Sequence, residues 1–340
     1  MEPKKRIITC SDGTWNDTNT PSTNVRRIFN CIAGKGPDGV PQLKAYDEGV
    51  GTGYSILDKL VGGMTGAGLD KNIKDMYLFL CMTYRPKSDT KAEDDDIYLF
   101  GFSRGAYTAR SLAGFIYNCG ILKPENVHLI DTAYSLYRNR NKLTKPNGCM
   151  MQAFRDNYAF PRPRIKFVGV WDTVGSLGIP ISFFRNRKRY RFHDCTLNEE
   201  VDHAYHALAI DERRSIFEPT LWEMSGEARE KGTQVLEQRW FPGVHSNVGG
   251  GYEDHRISDI ALKWLMDKAR DTGLHFEDPT NSTILTPLFN PDPKGKIYKS
   301  NGGIYRISPS RWRKVMDKIN TFEVLDESVE YSLRKKMGKM

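Results

Sequence analysis

Ile97-Tyr98-Leu99-Phe100-Gly101-Phe102-Ser103-Arg104-Gly105-Ala106-Tyr107 is the stretch from which the fold is read. Four apolar residues run up to Gly101 and predict a buried strand. Ala106, Ala109, Leu112, Ala113 and Ile116 then recur at helical spacing. Between strand and helix lies Gly101-x-Ser103-x-Gly105, the pattern of a strand-to-helix elbow. A serine there is held in a strained backbone conformation, and the flanking glycines relieve the crowding. Its hydroxyl projects above the sheet edge, in front of a helix N-terminus whose free N–H groups favour developing negative charge. Five residues alone are weak evidence, because a serine in a tight turn gives the same pattern. The rest of the chain must decide.

The chain has 340 residues, with 39% hydrophobic and 27% charged residues. That is the composition of an ordinary globular protein large enough to bury a core without disulfides or a structural metal. The cysteines at 10, 31, 81, 119, 149 and 195 are scattered, with no C-x-x-C pair and no zinc spacing. They read as reduced thiols in a cytosolic setting. Lys4-Lys5-Arg6 is followed by only two isoleucines, too short for a signal sequence, and no apolar run reaches membrane-spanning length. The expectation is synthesis in the cytoplasm without a leader. A formal charge of +8 is compatible with anionic surfaces but selects none of them.

Working outward from the elbow, Arg6–Cys10 and Ile165–Trp171 read as further buried strands, Gln42–Tyr46 as another strand, and 234–241 as a candidate for the last. Helices are predicted from Asn24, over 69–84, over 198–211 and over 257–269, with shorter helical patterns over 312–319 and near 329–333. Alternation of this kind predicts an α/β fold: a mostly parallel central sheet with helices on both faces. The block at about 126–163 reads as a cap-like insertion over the upper edge of the sheet. A catalytic domain over 1–278 is expected, followed by a C-terminal extension over 279–340 that packs on or covers the core. Two other motifs are set aside. Asp12-Gly13-Thr14 has Cys10 where a phosphatase of the haloacid-dehalogenase type needs a second Asp. The glycines at 49, 51 and 53 lack dinucleotide-binding spacing.

Serine hydrolysis needs an exposed serine, an imidazole to carry its proton, and a carboxylate to orient the imidazole. In the α/β-hydrolase fold these come in the chain order Ser, Asp, His. Ser103, Asp172 and His245 stand in that order, each at the end of a predicted strand. His245 lies in a glycine-rich loop poorly placed for core packing. The other histidines (128, 193, 203, 206, 255 and 275) fall on predicted helices or in polar stretches. Asp172 competes with Asp12, Asp17, Asp211 and Asp254, and its bland reading is a helix N-cap. One oxyanion donor is expected from the backbone N–H of Arg104, and a second from Gly13 or Thr14. Asp12 and Trp15 are candidate supports for that loop. No metal or cofactor is expected, with a divalent cation beside Asp12 left open.

These motifs together resemble a known family. Ser11-Asp12-Gly13-Thr14-Trp15-Asn16-Asp17, Tyr46-Asp47-x-Gly49-Val50-Gly51-Thr52, Gly101–Tyr107, Trp171-Asp172-Thr173-Val174-Gly175, Ala209-Ile210-Asp211-Glu212-Arg213-Arg214 and Trp240–Tyr252 stand in order. In this they are similar to the α/β-hydrolase domain shared with phospholipase effectors of type VI secretion. The resemblance runs from about Arg6 to about Trp264. It implies a bacterial serine esterase or phospholipase A, with Ser103, Asp172 and His245 as the triad and export by a leaderless route. Asn247 stands where the pattern has an acidic residue, and the long extra region such effectors use at membranes is not apparent.

The expected activity is therefore cleavage of carboxylic esters, most of all phospholipids, through an acyl-enzyme. A thioesterase or peptidase could use the same triad. The rival from another class is a catalytically silent binding or regulatory module on the same fold. Over 179–193 apolar and basic residues interleave, including Phe183, Phe184, Arg185 and Arg187. They form a candidate contact with an anionic lipid interface, set against the bland reading of a solvated loop. Nucleic-acid binding is the weakest alternative, because the stretch carries no reading motif.

Overall fold

The computed structural model describes residues 4–13, 21–49, 66–86, 94–139, 141–174, 195–278, 289–300, 310–316 and 318–336. Among them, one sheet runs β2-β1-β3-β4-β5-β6-β7, with every neighbouring pair parallel. The strands are β1 (Arg6–Ser11), β2 (Gln42–Asp47), β3 (Asp96–Phe102), β4 (Ile165–Trp171), β5 (Val201–Ala209), β6 (Val235–Phe241) and β7 (Glu323–Leu325). The central strands read as continuous apolar runs because both of their faces are covered.

β3 illustrates how the faces divide. Ile97 and Leu99 join one core with α2 (Gly66–Thr83) and α3 (Arg104–Cys119). Tyr98, Phe100 and Phe102 point the other way and join a second core with α1 (Asn24–Cys31) and α8 (Arg256–Asp271). The two-residue period of a strand produces this division directly. Thr23 caps α1 by accepting from the Arg26 N–H. The expected α/β class, with a parallel sheet covered on both faces, is the observed one.

The stretch over 126–163 forms α4 (Ile130–Arg138) and α5 (Cys149–Tyr158) with short 3-10 turns. It lies against α2 and α3, where Ala133, Tyr134, Met151 and Phe154 join the first core.

Three readings of secondary structure need correction. The expected helix over 198–211 is strand β5, paired with β4 and β6. Its alanines at 204, 207 and 209 carry helix propensity, but a central position between two strands overrides it. These small side chains also leave room for larger ones, and Tyr205 packs edge-on to Trp264 of α8 at 5.8 Å. β6 is not the last strand, because β7 adds to its free edge. The expected helical stretch after 312 carries no helix over 310–316, while the pattern near 329–333 does fall in α9 (Glu327–Lys336).

Candidate active site

Ser103, Asp172 and His245 directly follow the C-terminal ends of β3 and β4 and, after a three-residue turn, β6. Loops there are where parallel sheets place their sites. Ser103 has φ 58° and ψ −117°, and Asp172 has φ 38°, both unusual for residues other than glycine. Such conformations cost about 1–3 kcal/mol each and persist only where the surroundings impose them. At Ser103 the surroundings are plain. Its N–H donates to the Trp171 carbonyl at 3.1 Å. A Cβ on Gly101 would lie 2.3 Å from the Gly105 carbonyl oxygen, and one on Gly105 would lie 2.0 Å from that of Ser11. The backbones of β1, the elbow and α3 thus meet at distances that only glycine permits.

His245 opens the short helix α7 (His245–Gly249), and its Nδ1 lies 2.6 Å from Asp172 Oδ2. Its ring is held between Phe102, centroid 4.6 Å away, and Phe217, 4.8 Å away. Phe102 immediately precedes Ser103, so the imidazole packs against the elbow itself. Burial lowers the His245 pKa, and Asp172 opposes that shift.

Asp172 is fully buried. Burial alone would raise its pKa, but the Arg313 guanidinium and then His245 hold the carboxyl well below the usual range. Asp172 Oδ1 accepts from the Ala209 N–H at 3.0 Å and from Arg313 Nη1 at 2.5 Å. Oδ2 accepts from Arg313 Nη2 at 2.9 Å as well as facing the imidazole. Sequence reasoning missed Arg313. It stands among several basic residues in a segment without a motif, and only the return of the chain to β6 brings it to the site.

The loop after β5 explains the Asp211-Glu212-Arg213-Arg214 motif. Asp211 Oδ2 accepts from the Gly243 N–H at 2.8 Å, and Glu212 Oε2 from the His245 N–H at 3.2 Å. Glu212 is buried and also pairs with Arg214 at 2.8 Å. Asn247, expected to be acidic, accepts from the N–H groups of Val244 (3.3 Å) and Tyr298 (3.1 Å) and donates to the Lys296 carbonyl (2.9 Å). An amide suits that mixture of donors and acceptors. His206 lies on β5, not on a helix. It accepts from the Thr173 N–H at 3.0 Å and faces Gln238 Oε1 at 3.2 Å. Burial, then Arg110, pushes its pKa down to about 3, which marks a neutral structural histidine.

Gly13 adjoins Ser103, since a Cβ built on it would lie 3.3 Å from the Ser103 Cβ. Its N–H donates to its neighbour Asp12 Oδ1 at 2.6 Å. Asp12 Oδ2 also accepts from the hydroxyls of Thr23 and, at 2.6 Å, Tyr46. Burial pushes the Asp12 pKa up to about 6 against these donors. Asp12 therefore ties β1, β2 and the start of α1 together beside Ser103. Arg104, whose N–H is the other expected oxyanion donor, is the first residue of α3. Thr14, Trp15, Phe183, Phe184, Arg185 and Arg187 lie outside the described residues. Among the described residues, no group of three His, Cys, Asp or Glu side chains is placed to hold a metal ion. No helix among them is long and apolar enough to cross a membrane.

Residues 5–268 match the catalytic domain of the Tle1-like phospholipase effectors of type VI secretion. An uncharacterized protein of Saccharomyces cerevisiae is 31% identical over 234 residues, which is 63% of this chain and 32% of that protein. Among solved structures, an uncharacterized protein from Pseudomonas aeruginosa has a TM-score of 0.44 at 17% identity, covering 85% of this chain and 49% of its own. The Tle1 effector bound to the VgrG spike of the type VI secretion system has a TM-score of 0.37 at 19% identity, covering 74% and 52%. A thermophilic esterase from Thermogutta terrifontis has a TM-score of 0.40 at 12% identity, covering 82% and 85%. The chain thus spans about a third of its yeast relative and half of the Pseudomonas protein. With an α/β-hydrolase-like sheet and a family match over most of its length, the chain belongs to the Tle1-like catalytic-domain family of type VI secretion phospholipase effectors.

Proposed function

We propose that the protein is a serine hydrolase of carboxylic esters, with phospholipid as its principal substrate class. The observation that carries this is the Asp172–His245 contact of 2.6 Å beside a serine held at φ 58° on a strand-to-helix elbow. Family membership supports the lipid substrate.

In this reading Ser103 Oγ attacks the acyl carbonyl carbon while His245 Nε2 takes its proton. The tetrahedral oxyanion is held by the Arg104 N–H at the head of α3 and by a second N–H from the loop after β1; the Gly13 N–H is already given to Asp12 Oδ1, which makes the Thr14 N–H the second donor in this reading. The carbon–oxygen bond to the leaving alcohol breaks, and that alcohol takes the proton from His245. Water, deprotonated by His245, then attacks the acyl-enzyme. The carboxylic acid leaves and Ser103 recovers its proton. Asp172 keeps the proton of the neutral ring on Nδ1, leaving Nε2 as the base. Asp172→Asn would reverse that preference and lower turnover by about three to four orders of magnitude. The Phe183–Arg187 stretch is the proposed lipid-facing surface, on sequence grounds alone.

The test is hydrolysis of phospholipid vesicles beside short-chain p-nitrophenyl esters by wild type and Ser103→Ala. Vesicle hydrolysis that vanishes in Ser103→Ala is the expected result. Hydrolysis of soluble esters only would reassign the substrate to small esters, and activity retained in Ser103→Ala would remove the mechanism.

A further inference from the structure

One side chain in the site comes from outside the stretch that matches the family. Arg313 is buried, and its guanidinium forks onto both oxygens of Asp172, Nη1 to Oδ1 at 2.5 Å and Nη2 to Oδ2 at 2.9 Å. The same nitrogens donate to the carbonyls of Ala209 at 2.7 Å and Phe217 at 2.5 Å. The segment carrying Arg313 is fastened at both ends. On one side, the Arg311 N–H donates to the Arg213 carbonyl at 2.8 Å, and the Arg213 guanidinium lies 3.6 Å from the Trp312 ring centroid. On the other, the Met316 N–H donates to Glu323 Oε2 at 2.8 Å, and Glu323 accepts from Trp240 Nε1 at 2.7 Å.

We propose that Arg313 is a positioning residue for the Asp172–His245 pair, and that its charge sets the acid limb of the pH–rate profile. This rests on the reading of Ser103, Asp172 and His245 as a triad. A carboxylate alone at 2.6 Å from His245 would favour the imidazolium strongly and make the ring a proton sink. A guanidinium on the same carboxylate cancels much of that field, so the ring stays neutral and able to accept the Ser103 proton at lower pH. The fork also fixes the plane of the carboxylate. Among the described residues, the other charged groups that act on His245 are Arg214, which opposes its protonation, and Glu212, which favours it. These two are paired to each other, so burial of the ring and the Asp172 carboxylate that opposes it are the larger influences, and Arg313 acts through that carboxylate. Phe102 and Phe217 pack against the ring without charge.

The experiment compares kcat/KM against pH for wild type, Arg313→Gln and Arg313→Lys, with fluorophosphonate labelling of Ser103 and thermal unfolding of each. In Arg313→Gln the acid limb is expected to move up by about one pH unit. In Arg313→Lys, which keeps the charge but loses the fork, it should stay near wild type while kcat falls. A folded Arg313→Gln that labels and keeps the wild-type limb overturns the proposal. If that variant does not fold, a limb in Arg313→Lys raised by a full unit overturns it instead. Independently of both variants, the wild-type limb should lie below about pH 6.5, the ordinary histidine value, and one above about pH 7 contradicts the proposal. A folded wild type that neither labels nor turns over removes the triad reading itself, a failure distinct from an unmoved limb.

Discussion

The backbone N–H of His245 donates to Glu212 Oε2 at 3.2 Å, so the loop after β5 holds the loop after β6. Glu212 is buried, and Arg214 keeps its carboxyl below the ordinary value despite burial. Glu212→Gln would keep the shape but lose the charge that pairs with Arg214. We expect kcat to fall about tenfold with KM little changed, because the base is displaced while the rest of the site is not. An unchanged kcat in a folded variant would mean that the loop is held by other contacts.

Gly105→Ala tests the elbow. The added Cβ would meet the Ser11 carbonyl oxygen at 2.0 Å and the Asp12 carbonyl oxygen at 2.6 Å, and both are backbone. α3 would have to move off the end of β1. The expected cost is about 3 kcal/mol or more in urea unfolding, at the upper end of overpacking effects. A loss under 1 kcal/mol would contradict this packing.

Asp12 makes stability depend on pH in an unusual direction. Its folded pKa of about 6 lies above the ordinary Asp value near 3.9. Between these values the folded chain keeps a proton that the unfolded chain has released, so this group's contribution falls as pH rises. The loss is at most about 3 kcal/mol and is complete above pH 6. Asp47, also raised to about 6, acts in the same sense but is common to wild type and an Asp12→Asn variant. The stability of wild type minus that of Asp12→Asn should therefore decline between pH 4 and pH 7 in chemical denaturation. A flat difference would contradict the burial of an ionisable Asp12.

Glu323 anchors the C-terminal segment to the sheet. It accepts from Trp240 Nε1 at 2.7 Å, the Met316 N–H at 2.8 Å and the Thr321 hydroxyl at 2.7 Å. Glu323→Ala leaves the buried indole N–H unpaired and should cost about 2–4 kcal/mol. Activity should fall further than stability predicts, because Arg313 is carried by the same segment. Thermal unfolding and turnover measured on one preparation would check both.

Much of this was legible in the sequence because the central sheet imposes strong local patterns. β3 and β4 are largely apolar runs that lead directly into Ser103 and Asp172, and the glycines at 101 and 105 mark backbone contact. β5 was misread because Val201–Ala209 is rich in alanine, and only its place between β4 and β6 makes it a strand. Arg313 was not legible. Its partner Asp172 lies 141 residues away, and no spacing rule links a lone arginine to a strand end that far off. The reason for Asp211-Glu212 was hidden in the same way, since its partners are backbone N–H groups of another loop.

The most direct test of the central claim is covalent labelling of the folded protein with a fluorophosphonate, read by mass spectrometry of the peptide bearing Ser103. The account predicts one adduct on Ser103 in wild type, none in Ser103→Ala, and slowed labelling in His245→Ala. A folded wild type that remains unlabelled and hydrolyses neither vesicles nor soluble esters would contradict it, as would an adduct that persists in Ser103→Ala.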